Sequence, residues 1–166
     1  MTDLTTDIPS ANAAAAAPHF KVSGRIARPI EEVFEAVVDP DQLSRYFTTG
    51  GAQGRLETGS TVQWDFADFP GAFPVDVVTV EPNRLIVLQW AGADDGHGTD
   101  YQTTVTMSFE PLEDGRTLVT IAEEGWRPTE QGQQAAFGNC EGWAGVLCCM
   151  KAWLEHGIML RDGFYA

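Results

Sequence analysis

Between Gly50 and Gly125 the apolar residues of this chain recur at every second position in six successive runs, punctuated by glycine or proline. The runs are Gln53 to Glu57, Thr61 to Phe66, Phe73 to Glu81, Arg84 to Ala91, Tyr101 to Glu110 and Thr117 to Glu124. Alternation with period two sends successive side chains to opposite faces, so the pattern predicts a six-strand antiparallel meander. Val62, Trp64 and Phe66 share one face against Gln63 and Asp65. Tyr101, Val105, Met107 and Phe109 likewise oppose Gln102, Thr104, Thr106 and Glu110. One face is therefore apolar and aromatic while the other can meet water, and a further element has to cover the first.

The candidate cover is the last long periodic segment, from Thr129, a plausible N-cap after Pro128, to about His156, with Gly157 as a C-terminal stop. It predicts a helix of about seven turns. Ala136, Cys140, Trp143, Leu147, Met150 and Leu154 step by four and three into an apolar stripe, beside a stripe of small residues, Gly138, Gly142, Gly145, Cys149 and Ala152. Three interior glycines forgo roughly 3 kcal/mol of helix propensity, which close packing of the backbone against the sheet would explain. Room for a ligand is the alternative. Upstream, His19 to Ala27 alternates as a half-buried strand. Pro29 then opens a short amphipathic helix through Val37, and Asp39 before Pro40 caps a second one reaching about Phe47. The loops Phe69 to Ala72 and Gly92 to Asp100 are the expected rims of any cavity.

A chain of 166 residues supports one core, so residues 18–166 are expected to form a single domain, and residues 1–17 a disordered tail. The formal charge of −14 repels phosphate backbones and anionic headgroups, which argues against nucleic acid and membrane surfaces as partners. No stretch approaches the roughly 20 apolar residues of a membrane span, and Asp3 and Asp7 stand where a secretory signal carries basic residues. Cys140, Cys148 and Cys149 lie in one helix without CxxC spacing, which fits a reducing, cytoplasmic setting. His19, His97 and His156 are scattered, so neither a metal nor any other cofactor is expected.

The order strand, two short helices, six strands, long helix describes an α+β helix-grip (START-like) fold, a curved antiparallel sheet wrapped around the C-terminal helix. The chain resembles the SRPBCC (START and pollen-allergen-like) superfamily, and within it the activator of heat shock protein 90 ATPase homologue-like family. The resembling segments are Ala27-Arg28-Pro29-Ile30-Glu31-Glu32-Val33-Phe34-Glu35-Ala36, Asp39-Pro40-Asp41-Gln42-Leu43 with Tyr46-Phe47, and Glu81-Pro82-Asn83-Arg84-Leu85 leading to Trp90. Gly115-Arg116-Thr117 leading to Gly125-Trp126, and Gly142-Trp143, Leu147, Lys151 and Leu154-Glu155 complete them. The resemblance implies a cavity between sheet and helix, and it spans carriers, cyclases, stress proteins and a co-chaperone. Since the fold hosts many roles, it does not fix this one. The co-chaperone carries an additional amino-terminal domain for which 17 residues leave no space, so a chaperone role is the less expected alternative.

On that fold the expected ligand-binding wall is Trp64, Phe66, Phe73, Val75, Trp90, Tyr101, Val105, Met107, Trp126, Trp143, Leu147 and Met150. The same side chains could instead fill a solid core. The leading expectation is binding of a hydrophobic small molecule. A cyclase or dehydratase using the same cavity is the enzymatic alternative, and an interaction module or homodimer is a further one. No catalytic constellation stands out. The weak candidates are His97, on the Gly92 to Asp100 loop, and Glu123. Alternation sends either Glu123 or Glu124 inward, where a buried carboxylate could act as acid or base, although exposure at the strand end is the commoner outcome.

Overall fold

A computed structural model describes residues 16–93 and 100–165. The expected segments 1–17 and Gly92 to Asp100 fall largely outside this range, and His97 lies outside it altogether. Strand β1 (Phe20–Ile26) leads to helices α1 (Ile30–Val38) and α2 (Pro40–Tyr46). Strands β2 (Gly51–Gln53), β3 (Thr61–Phe66), β4 (Phe69–Glu81), β5 (Leu85–Ala91), β6 (Gln102–Pro111) and β7 (Thr117–Glu124) follow, and α3 (Glu130–His156) closes the fold. All pairs are antiparallel, in the order β1-β7-β6-β5-β4-β3-β2. This is the helix-grip arrangement. Register shifts between Trp64 and Phe66 and between Val77 and Thr79 add local bend and twist, which curve the sheet toward α3.

The caps explain where the helices begin and end. Asp39 accepts the Asp41 amide with its side chain, Thr129 accepts that of Gly132, and Gly157 terminates α3 in the left-handed region at φ 66°. Pro29 stands just before α1 rather than within its first turn, with no side-chain cap of its own.

Three segments depart from the sequence expectation. The run Gln53 to Glu57 is not a strand. Pairing ends at Gln53 because Gly54 turns at φ 94°, and Leu56 then drops into the core while its amide bonds Val38. Phe69 to Ala72 is not a loop rim but the start of β4, since the turn at Ala67 and Asp68 lets Phe69 pair with Phe66 at once. The glycine stripe of α3 does not press on the sheet. A Cβ at Gly138 or Gly142 would meet nothing within 4 Å, and one at Gly145 would overlap the Tyr165 hydroxyl of the C-terminal segment. Arg161 ties that segment down, its Nη2 bonding both Asp68 oxygens at 2.9 and 2.8 Å in a buried pair.

The core sits between the inward sheet face and α3. Ile26, Val62, Val75, Val77, Ile86, Leu88, Val105, Met107, Val119 and Ile121 meet Trp143, Val146, Leu147, Cys149 and Met150 there.

Candidate functional site

Six aromatic rings, five from β3, β4, β5 and α3 and one from the residue after α2, converge at one end of this core. Phe47, just after α2, lies 5.2 Å from Trp64, 5.1 Å from Phe66 and 5.1 Å from Trp143, measured between ring centroids. Trp64 stands 5.8 Å from Trp90, Phe73 lies 5.9 Å from Phe66 and 6.1 Å from Trp90, and Trp90 stacks on Trp143 at 5.6 Å and 16°. These spacings are those of aromatic pairs in contact. Strand alternation explains the convergence, because Trp64, Phe66, Phe73 and Trp90 all fall on inward positions of β3, β4 and β5, and Trp143 points down from α3. Trp64 and Trp143 are buried, whereas Phe66, Phe73 and Trp90 are half-buried and form the open rim.

At the inner edge of the array lies Glu123, 1% exposed. Alternation in β7 turns it inward with Thr117, Val119 and Ile121 and leaves Glu124 exposed. Its Oε1 accepts from Thr103 Oγ1 at 2.7 Å, Trp90 Nε1 at 2.9 Å and Asn139 Nδ2 at 3.2 Å. Its Oε2 accepts from Trp143 Nε1 at 2.9 Å and again from Asn139 at 3.2 Å. An indole N–H can only donate, so both oxygens act as acceptors. Four neutral side chains thus hold one carboxylate, and they bind β5, β6 and α3 into a single polar knot beneath the rings. In contrast, Trp64 Nε1, equally deep, has no hydrogen-bond acceptor among the described residues, and neither has Trp126 Nε1.

The remaining wall residues separate by depth. Val75, Val105, Met107, Leu147 and Met150 lie in the core beside the array. Tyr101 sits at the rim, where its hydroxyl donates to Ala93 O at 3.2 Å and the Arg127 guanidinium covers its ring at 4.4 Å. Among the described residues Trp126 is buried but makes no ring contact with the six rings of the array, nor does it join the main core. Three members of the site were not singled out from sequence as site residues: Phe47, Thr103 and Asn139. Thr103 shares inward parity with Val105 and Met107, and Asn139 precedes Trp143 by one helical turn, so both carried a positional signal that their polarity masked.

Burial pushes the Cys149 thiol up despite the nearby Arg161 charge. Among the described residues no group of three or more His, Cys, Asp or Glu gathers in a metal-binding arrangement, and no helix is long and apolar enough to cross a membrane.

The family described as Activator of Hsp90 ATPase homolog 1-like protein matches residues 27–155. Among curated proteins none matches. Solved structures do. Protein SSP2350 from Staphylococcus saprophyticus is 29% identical, with a TM-score of 0.71, over 87% of this chain and 96% of that one. DynU16, a protein in the dynemicin biosynthetic locus, is 24% identical with a TM-score of 0.67 over 84% of this chain and 48% of its own. The Aha1 dimer from Colwellia psychrerythraea is 22% identical with a TM-score of 0.66 over 84% and 98%.

Proposed function

The chain belongs to the Activator of Hsp90 ATPase homolog 1-like family, and from that footing we propose that it binds a hydrophobic small molecule at the ring array between the sheet and α3. The observation that carries the reading is Trp64. Its indole N–H is buried among rings with no acceptor among the described residues, while the neighbouring indoles of Trp90 and Trp143 both find Glu123. A buried donor left unpaired costs about 1–3 kcal/mol, and a ligand oxygen seated against the rings would recover it. The half-buried rings of Phe66 and Phe73 supply the entry, since they carry no hydrogen bond and can turn outward at less cost than the buried pair Trp64 and Trp143.

Acid or base catalysis by Glu123 is less well supported than binding, because every contact to its two oxygens is already committed to a protein donor. The test is native mass spectrometry of the freshly purified protein against its denatured mass, joined to the indole N–H signals in a 1H–15N spectrum. The expected result is a bound small molecule, or a hit from a hydrophobic library, that moves the Trp64 indole signal. A protein that carries no extra mass, and whose Trp64 signal no apolar compound shifts, refutes the reading.

A further inference from the structure

One wall of the ring array is tied together and the opposite wall is not. Glu123 joins Trp90 of β5, Thr103 of β6, and Asn139 and Trp143 of α3. Phe66 and Phe73 belong to the other wall, the outer end of the β3–β4 hairpin, and the sheet supports that end on one side only. The register of β4 against β5 begins at Asp76, opposite Gln89, so among the described residues Phe69 to Val75 pair with β3 alone. Pro70 and Pro74 have no N–H to offer a further strand. At the base of this arm the ladder is broken by the register shift between Trp64 and Phe66. A two-stranded ribbon is by itself marginally stable, so what fastens its tip decides whether it stays down.

Two side chains fasten the tip. Thr49 Oγ1, in the loop after α2, accepts the Ala67 amide at 3.0 Å. Arg161 Nη2, from the segment after α3, donates to both oxygens of Asp68 at 2.9 and 2.8 Å, with the two side chains 8% and 9% exposed. That segment is itself seated on α3. The Arg161 guanidinium lies over the Tyr165 ring at 4.7 Å, and the Tyr165 hydroxyl occupies the space that a Cβ at Gly145 would take. A cavity of about 240 Å3 lined by Thr49, Asp68, Arg161 and Gly163 flanks the ion pair, so close packing adds little to the hold there.

We infer that the outer end of the β3–β4 hairpin, Phe66 to Val75, is a flap over the ring array and that Arg161 is the clasp that keeps it shut. This rests on the hydrophobic-ligand reading above and adds how the site is entered. A ligand reaches Trp64 once Phe66 and Phe73 move away from Phe47 and Trp90, and the arm carries both rings. Its opening breaks the Arg161 and Asp68 pair and a few ring contacts, while β5, β6 and α3 keep every hydrogen bond to Glu123. The clasp lies outside the array and closes over it whether the site is empty or filled. Losing it therefore speeds entry and exit alike and leaves affinity nearly unchanged.

The test uses the full chain, hydrogen exchange read by mass spectrometry, and stopped-flow binding of prodan, a neutral naphthyl ketone. In Arg161→Met the amides from Ala67 to Val75 are expected to speed up by at least tenfold more than those of β5 and β6. Association and dissociation of prodan are expected to rise together by about fivefold or more, with Kd moving less than about threefold. Asp68→Asn, which keeps the side chain's shape and removes its charge, is expected to act in the same direction and serves if Arg161→Met does not fold. Val119→Ala, a core truncation on β7 away from the arm, is expected to produce neither effect. Arm amides that speed up no more than those of β5 and β6 in either clasp variant overturn the clasp. Faster arm exchange with unchanged prodan rates overturns the flap as the way in and leaves the hydrophobic site standing. A loss of affinity carried by dissociation alone makes the arm a binding wall and overturns the gate as well. Prodan that binds neither native chain nor variant, while the arm exchange responds as expected, upholds the clasp and overturns the ligand reading beneath it.

Discussion

Trp64 and Trp143 are buried to the same degree, 1% and 3% exposed, in the same ring array, and they differ in one respect. Trp143 Nε1 donates to Glu123 Oε2 at 2.9 Å, while Trp64 Nε1 has no acceptor. Replacing each by phenylalanine therefore removes a similar volume from a similar place and separates the hydrogen bond from the packing. The lost ring atoms leave a void of a few tens of Å3, about 1 kcal/mol at ~24 cal/mol per Å3. Trp143→Phe adds a second cost, because Oε2 is left with only the 3.2 Å contact from Asn139. Hydrogen bonds to charged groups contribute about 1.5–3 kcal/mol, so the total for Trp143→Phe is about 3 kcal/mol. Trp64→Phe deletes an unpaired donor and should cost about 1 kcal/mol or less. For a chain of this length each kcal/mol shifts Tm by about 2–4 °C, which predicts a fall of roughly 6–12 °C for Trp143→Phe and at most about 4 °C for Trp64→Phe. Far-UV circular dichroism during heating and in urea reads both without depending on tryptophan emission. Equal losses for the two variants would show that Glu123 is not held by Trp143 in the way described, and a larger loss at Trp64 would reverse the argument.

Gly138→Ala and Gly142→Ala should each raise stability by about 0.5–1 kcal/mol in urea unfolding, since alanine is the better helix former and the added Cβ meets open space, whereas Gly145→Ala should lower it by displacing Tyr165. Removing one partner of the buried Arg161 and Asp68 pair, as in Arg161→Met, should cost about 3 kcal/mol and release residues 157–165, visible as faster hydrogen exchange there than in β5 and β6. With Ellman's reagent Cys148, exposed, should react first and Cys149 only on unfolding, because burial raises its thiol pKa; an equally fast third thiol would contradict the packing of α3. Acid should weaken the fold through two carboxylates held below their usual range. Arg55 lowers Glu35 by hydrogen bonding. Partial burial acts to raise Glu155, but Lys151 and the Ala27 amide outweigh it. Their folded values are depressed, so their stabilisation is present above the ordinary glutamate value of 4.5 and drains away as pH falls below it. Glu155→Gln should flatten that acid limb in a pH series of urea midpoints.

Most of the fold was legible because periodicity is a local property. The alternation of Thr61 to Phe66 and Thr117 to Glu124 gives the two strands to the residue, and Asp39, Thr129 and Gly157 mark helix ends by capping chemistry that acts within a few residues. The misreadings came where a local pattern lost to geometry. Gln53 to Glu57 alternates, but Gly54 turns the chain. Phe69 to Ala72 looks like a glycine-containing loop, but a two-residue turn hands it a partner strand. The stripe of glycines on α3 suggested contact with the sheet, yet its close neighbours are Tyr165 and Phe164 of the C-terminal segment.

The sequence alone determined an aromatic inner face, a long covering helix and an acidic exterior, since each follows from the order and sign of neighbouring residues. Only the tertiary structure decided which of those aromatics meet. Alternation left open whether Glu123 or Glu124 points inward. The register of β7 against β6, with Glu123 opposite Val105, set the answer. Thr103 from β6, Trp90 from β5, and Asn139 and Trp143 from α3 reach that carboxylate from positions 16 to 33 residues away. A hydrogen bond acts over about 3 Å of space whatever the separation along the chain, so no period in the sequence could have announced it.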